Sequence, residues 1–232
     1  MIKIEKIQTY GFEAAIRGMR NPLNSWDKSD STICPGRDFD DCKATVNKCP
    51  RGEDPEFKED LFCIGESDLD LAGRLIACGT PDRKFLRMIY ASMDITAPLY
   101  WWKEYDTYKV ATVANSCSTM HKIHSAEITL NDFSIDNIEV SDDGIDLEDM
   151  FINVVADCER LRSLYMETKD RKYWRALIQL LPNSYNQKRT VSLNYETLRG
   201  MYYWRKNHKL SEWSEFCQVM ATLPYAEEFI IN

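Results

Sequence analysis

"LLPNSYNQKRTVSLNYETLRGMYYWRKNHKLSEWSEF", residues 180–216, is the stretch on which the fold turns. Leu181–Pro182 ends the helical pattern "RKYWRALIQLL" before it, because proline cannot donate the amide that a helix ladder needs. Downstream, "VSLNYETLRGMYYWRKN" and "SEWSEFCQVMATL" read as helices, so the C-terminal half is predicted to be helical. The stretch is also basic. Between Lys169 and Lys209 there are ten Lys or Arg against two acids, Asp170 and Glu196. In a chain of net charge −8, such a segment is either a solvated face or the place for a small phosphorylated ligand.

Upstream the sign reverses. Glu127 to Glu159 holds eleven acids and no Lys or Arg. The overall acidity disfavours long nucleic acids as partners. The longest helical pattern starts in this acidic region, with Leu147, Phe151, Val154, Val155, Cys158, Leu161 and Tyr165 on one stripe. Helices are predicted to fill 147–222, after acidic turns at 131–146.

Further upstream lies "DITAPLYWWKEYDTYKVATVANSCSTMHKI", residues 94–123. Trp101 and Trp102 are either buried packing or one wall of a ligand site. Pro98 suits the first residue of a helix through "LYWWKEYDTYK". Alternation predicts a strand at 86–96, and further strands near 2–8 and 126–130. Asn115 and Ser118 are open to two readings, ligand contacts or turn caps.

The opening "MIKIEKIQTY" reads as a strand and not as a signal peptide, and the apolar run Ala97–Trp102 is far too short to span a bilayer. The chain is therefore expected to be cytoplasmic and off the membrane. "GFEAAIRGMR" is a short helix ending before Pro22. Residues 31–63 hold three prolines and two glycines without a period, which predicts an irregular loop insertion in one domain covering 1–232. Ser67 and Asp70 predict a capping box for a helix that stops at Gly79. The eight cysteines show no CxxC spacing. Cys34, Cys42, Cys49 and Cys63, like Cys117 with His121 and His124, read as scattered side chains, and no metal site is predicted.

No GxGxxG, GxxxxGK[ST], GxSxG or HExxH is present, and three histidines leave little for a triad. The fold class predicted is α+β: a small sheet from the first half, with helices dominating the second.

Two blocks together resemble the flavin-dependent thymidylate synthases. That family ends a helix with Arg-His-Arg, passes a Ser, and continues Asn-Glu-x-Ser-x-Arg-Tyr. Here "TVANSCSTM" matches at Asn115 and Ser118. Ser116 replaces the Glu, Met120 the Arg, and Tyr108-Lys109-Val110 the Arg-His-Arg. In the second block, Leu181-Pro182, Asn194, Leu198, Arg205 and Trp213 fall into the family pattern. Ile178 and Glu196 stand where the family has arginines. "CGTPDRKFLRMIY" resembles the family's Gly-His segment, with Arg83 or Lys84 where a His is usual.

The resemblance covers roughly residues 65–222 and implies a divergent member of that fold. It implies methyl transfer to a pyrimidine deoxynucleotide, deoxyuridylate, with FAD and methylenetetrahydrofolate, in a homotetramer whose active sites lie between subunits. By the same resemblance Tyr108, Lys109, Thr112 and Asn194 face the cofactor. Asn115, Ser116, Ser118 and Arg205 face the nucleotide monophosphate, Arg205 and Ser118 take the catalytic roles, and Lys188 and Arg199 are candidates for phosphate contacts from positions outside the family pattern. Arg189 is a further candidate for a phosphate contact. Neither Ile nor Met replaces the permanent charge and bidentate fork of an arginine. The lost arginines favour a second reading, a non-catalytic nucleotide-binding or assembly protein on the same fold.

Overall fold

The computed structural model describes residues 2–33, 62–136 and 147–232. Most of the loop insertion, with Cys34, Cys42 and Cys49, and most of the acidic turns lie outside the described residues. In chain order the elements begin with β1 (Lys3–Tyr10), α1 (Phe12–Arg20), β2 (Thr32–Ile33), β3 (Phe62–Cys63) and α2 (Glu66–Cys78). Next come β4 (Tyr90–Pro98), α3 (Leu99–Tyr105), β5 (Thr112–Ser116) and α4 (Thr119–Lys122). The remainder is α5 (Leu147–Thr168), α6 (Arg171–Leu180), β6 (Asn186–Asn194), α7 (Tyr195–Arg205) and α8 (Ser211–Ala221), closed by a π-helical turn at Glu227–Ile231.

Four strands form one antiparallel sheet in the order β1-β4-β6-β5. Alternation sets its two faces. Ala91, Met93, Ile95 and Ala97 of β4, with Val191 and Leu193 of β6, point into the core. Tyr90, Ser92, Asp94 and Thr96 point the other way, beside Lys188, Thr190 and Ser192. The core face is covered by α3, α7 and α8, which bury Trp101, Trp102, Tyr105, Leu198, Met201, Trp213 and Phe216. A second core joins α5 and α6 to the segment after α4, through Ile123, Ile128, Phe133, Val155, Cys158 and Leu177.

β6 overturns two expectations. "NQKRTVSLN" is a central strand, so the sheet is not drawn from the first half alone, and the helices do not fill 147–222 without a break. Helical periodicity is real from Leu198 onward. It starts only after Asn194, whose side-chain oxygen accepts the amide of Thr197 at 2.9 Å and so begins α7 there.

Residues 126–130 form no strand. The amide of Ile128 donates to the Glu159 carboxylate at 2.8 Å instead of to a strand, and Thr129 with Asp132 caps a 3-10 turn at Leu130–Asp132. The strand expected at 86–96 begins at Tyr90, because Arg83–Met88 is a 3-10 turn. Pro98 ends β4 and caps α3 rather than opening it, and α3 stops at Tyr105.

The helix over Glu66–Cys78 forms, though without a capping box of its own. Its N-cap is Gly65, and the Asp30 carboxylate accepts the amides of Ser67 at 2.9 Å and Asp68 at 3.1 Å. A side chain at Gly65 would collide with that carboxyl group. Just inside lies a buried ion pair. Arg20 Nε donates to Asp68 at 2.5 Å, and Asp68 also accepts the hydroxyls of Ser29 and Ser31. This knot ties α1 and residues 25–31 to α2, where β2 and β3 lead into the insertion.

Candidate functional site

The candidate residues fall into three surroundings. The first lies where α3 ends and the link to β5 begins. Arg205, in the last turn of α7, donates from Nε to the Tyr108 hydroxyl at 2.8 Å and pairs with Glu104 at 2.9 Å. Its guanidinium lies 4.7 Å from the Trp213 ring centre. Thr112 donates its hydroxyl to the carbonyl of Tyr108, and Thr197, held by Asn194, donates to the carbonyl of Val110 at 3.4 Å. The structure thus brings Tyr108, Thr112, Asn194 and Arg205 together around one link, on which Lys109 is exposed.

Arg189 extends this grouping. It projects from the core face of β6, 4.1 Å over the Trp102 ring, and donates to Asp106 at 2.7 Å and to Gln187 at 2.9 Å. Gln187 donates to the Cys117 carbonyl at 2.9 Å and to the Thr119 hydroxyl at 3.0 Å. Ser116 is paired with Arg189 across the strands. Ser118 caps α4, its oxygen accepting the His121 amide at 3.1 Å, which is the turn-cap alternative.

Two arginines therefore flank the end of α3, each stacked on a tryptophan and each facing a carboxylate. Both guanidinium side chains are only 14% exposed, whereas Glu104 and Asp106 are 44% and 50% exposed. Stacking orients the planar cations, and the carboxylates are the more exposed partners. Chemically this is an anion-binding arrangement whose present anions belong to the chain itself.

The second surrounding is the far face of the sheet. Lys188 pairs there with Asp94 at 3.1 Å and reaches Glu5 at 3.9 Å, and Asn115 is set opposite Thr190 on the same face. The Asp94 contact raises the Lys188 pKa, and Thr190 and Lys188 lower that of Asp94. Lys188 and Asn115 are thus not brought together with Arg205.

The third surrounding holds Arg199, whose hydrogen bond goes to the Ile230 carbonyl at 3.4 Å. Burial lowers its pKa, and neighbouring Arg83 lowers it further. Arg83 itself donates from Nε to both oxygens of Glu196, each at 3.1 Å.

Trp101 and Trp102 are buried core, at 0% and 1% exposure. Cys117 and His121 are exposed, His124 packs edge-on against Tyr165, and among the described residues no group of three or more His, Cys, Asp or Glu is placed to hold a metal. Sequence reasoning missed Glu104 and Asp106 as partners of the two arginines. Glu104 in the last turn of α3 and Asp106 as its C-cap stand where acids are disfavoured, and that was the available signal.

No family model matches the sequence, and no curated protein matches it. Solved structures do match. The chain is similar to thymidylate synthase X (ThyX) from Helicobacter pylori, crystallised with FAD and dUMP, at 16% identity and TM-score 0.63 over 100% of this chain and 98% of the other. A second structure, the flavin-dependent thymidylate synthase ThyX from the same organism complexed with FAD and dUMP, matches at 16% identity and TM-score 0.62 over 97% and 98%. The fold is accordingly α+β and ThyX-like. No helix among the described residues is long and apolar enough to cross a membrane.

Proposed function

We propose that the protein binds a flavin and a pyrimidine nucleotide at the end of α3, as a divergent thymidylate synthase-like protein. The observation that carries this reading is the pair of tryptophan-stacked arginines, Arg189 and Arg205, flanking the end of α3, with Tyr108 on Arg205, in a fold shared with FAD- and dUMP-bound proteins. The residues fit an anionic ligand because Glu104 and Asp106 already stand in for one. A phosphate displaces an exposed carboxylate from a fixed guanidinium and gains the same charge-assisted bonds. Lys109 and Tyr108 lie beside them for a second anionic oxygen and for stacking. Asn194 and Thr112 act by holding the link that carries Tyr108.

The likeness suggests FAD as cofactor; methylenetetrahydrofolate as carbon donor, a homotetrameric assembly and a cytoplasmic setting belong to the same proposal. When bound, the flavin would supply electrons for turning a transferred methylene into a methyl group. The chain's own part is to bind and orient: Arg205 holds the anionic side of the nucleotide, and Ser118 lies at the head of α4, after the strand that carries Ser116.

A second reading, a non-catalytic nucleotide-binding or assembly protein, is favoured by the Arg83–Glu196 pair. In that pair a carboxylate neutralises a cation beside Arg199. Thymidylate synthesis is therefore expected to be weak or absent even with flavin bound. A tritium-release assay on deoxyuridylate with folate and reductant, beside rescue of thymidine-requiring cells, separates the readings. Robust release and rescue establish the enzyme, and failure of both with flavin bound leaves the binding protein.

A further inference from the structure

At the opposite end of α3 from Arg205 lies a cavity of about 330 Å³ lined by Tyr100, Ile135, Asp136, Leu147, Lys209 and Glu212, among others. That volume is at the lower end of the range of small-molecule sites. Its floor carries an unusual group. Glu212 is 3% exposed, and its hydrogen bond comes from the Tyr100 hydroxyl, a neutral donor. Among the described residues no Lys or Arg forms an ion pair with it. A carboxylate offers about four acceptor positions, so most of its capacity is unused.

Glu212 lies in the first turn of α8. The charges around the cavity are Asp136, Glu215 and Glu212, with Lys209 as the cation in the lining. Asp136 and Glu215 join Glu212 in holding the Tyr100 phenol protonated, after burial itself, so the hydroxyl remains a donor. Ile135, Leu147 and Leu210 supply apolar lining. Burying a carboxylate without a cation is costly, and a half-satisfied one is a place for a cation to come.

We propose that this cavity binds a small organic ammonium compound, its cationic head on Glu212 with Asp136 nearby and its hydrocarbon body against Ile135, Leu147 and Leu210. The site is separate from the nucleotide site proposed above and does not depend on it.

The test uses the full chain and three probes of one shape: n-pentylamine, 1-pentanol and pentanoate, titrated by calorimetry in an amine-free buffer. The amine is expected to bind saturably at one site, and the alcohol and acid to bind at least about tenfold more weakly. Glu212→Gln, which keeps the hydrogen bond to Tyr100, is expected to weaken the amine about tenfold or more without changing binding of deoxyuridylate. Should Glu212→Gln fail to fold, Asp136→Asn at the exposed rim replaces it and is expected to weaken the amine several-fold. Equal binding of amine and alcohol, no saturable binding of the amine, or an amine affinity unchanged in the folded variant overturns the proposal.

Discussion

Arg83 and Glu196 are joined by one guanidinium nitrogen, Arg83 Nε, lying 3.1 Å from both oxygens of the carboxylate. Arg83 comes from the 3-10 turn before β4, and Glu196 from the first turn of α7. The bond therefore clasps two elements that are 113 residues apart in sequence. Their side chains are 26% and 16% exposed, so solvent screening is incomplete. A double-mutant cycle of Arg83→Met and Glu196→Gln is expected to give a coupling of about 1 kcal/mol in urea unfolding. Glu196→Gln alone is expected to cost more than Arg83→Met alone, since it leaves Arg83 facing Arg199 without a counter-ion.

The Arg20–Asp68 pair is more deeply placed, with side chains 4% and 0% exposed. Removing one member leaves a buried charge, and Asp68→Asn or Arg20→Met is expected to lower stability by roughly 3–5 kcal/mol. The pair also sets an acid limit. Burial raises the Asp68 pKa, but hydrogen bonds from Ser29, Ser31 and Arg20 outweigh it, and the net direction is down. A lowered folded-state pKa stabilises the fold above the ordinary aspartate value, about 3.9, and that contribution is lost as pH falls through the folded-state value. Urea unfolding followed downward from neutral pH should show a loss of stability below that value which Asp68→Asn largely lacks.

The buried thiols are predicted to be inert. Burial pushes Cys158 and Cys217 up to about 11, and both are enclosed, whereas Cys78 and Cys117 are exposed. Alkylation with iodoacetamide at neutral pH, mapped by mass spectrometry, should label Cys78 and Cys117 well before Cys158 and Cys217. Early labelling of Cys217 would mean that α8 is not packed as described.

Glu104 competes with any anionic ligand for Arg205. Glu104→Gln is expected to raise affinity for deoxyuridylate or FAD several-fold and to make binding more salt-sensitive. Arg205→Ala is expected to lower affinity about tenfold or more, and it also removes the guanidinium from the Trp213 face. A Glu104→Gln variant that binds no better would show that the carboxylate is not in the ligand's place.

The helical half, the first strand and the α+β class were legible because long amphipathic patterns and alternation report on one element at a time. The resemblance located the fold through Asn115, Ser118, Asn194 and Arg205. β6 was not legible: its inward residues include Gln187 and Arg189, which break the apolar alternation because their polar ends are satisfied by Asp106, Cys117 and Thr119, far away in sequence. The cap of α2 was hidden for a different reason. Asp30 lies more than thirty residues upstream of the helix it caps, and no local pattern reports such a contact. The arginine–carboxylate pairs at the end of α3 likewise join positions 83 and 101 residues apart, Arg189 with Asp106 and Arg205 with Glu104.

The most direct measurement of the central claim is an equilibrium titration of the purified full chain with FAD, and then with deoxyuridylate, followed by flavin absorbance and by tryptophan fluorescence at two salt concentrations. Saturable binding of both is expected, weaker at the higher salt, with Arg205→Ala and Arg189→Met each reducing it about tenfold or more while the fold stays intact. Absence of binding by either ligand, or binding that neither substitution nor salt alters, would contradict a nucleotide site at the end of α3.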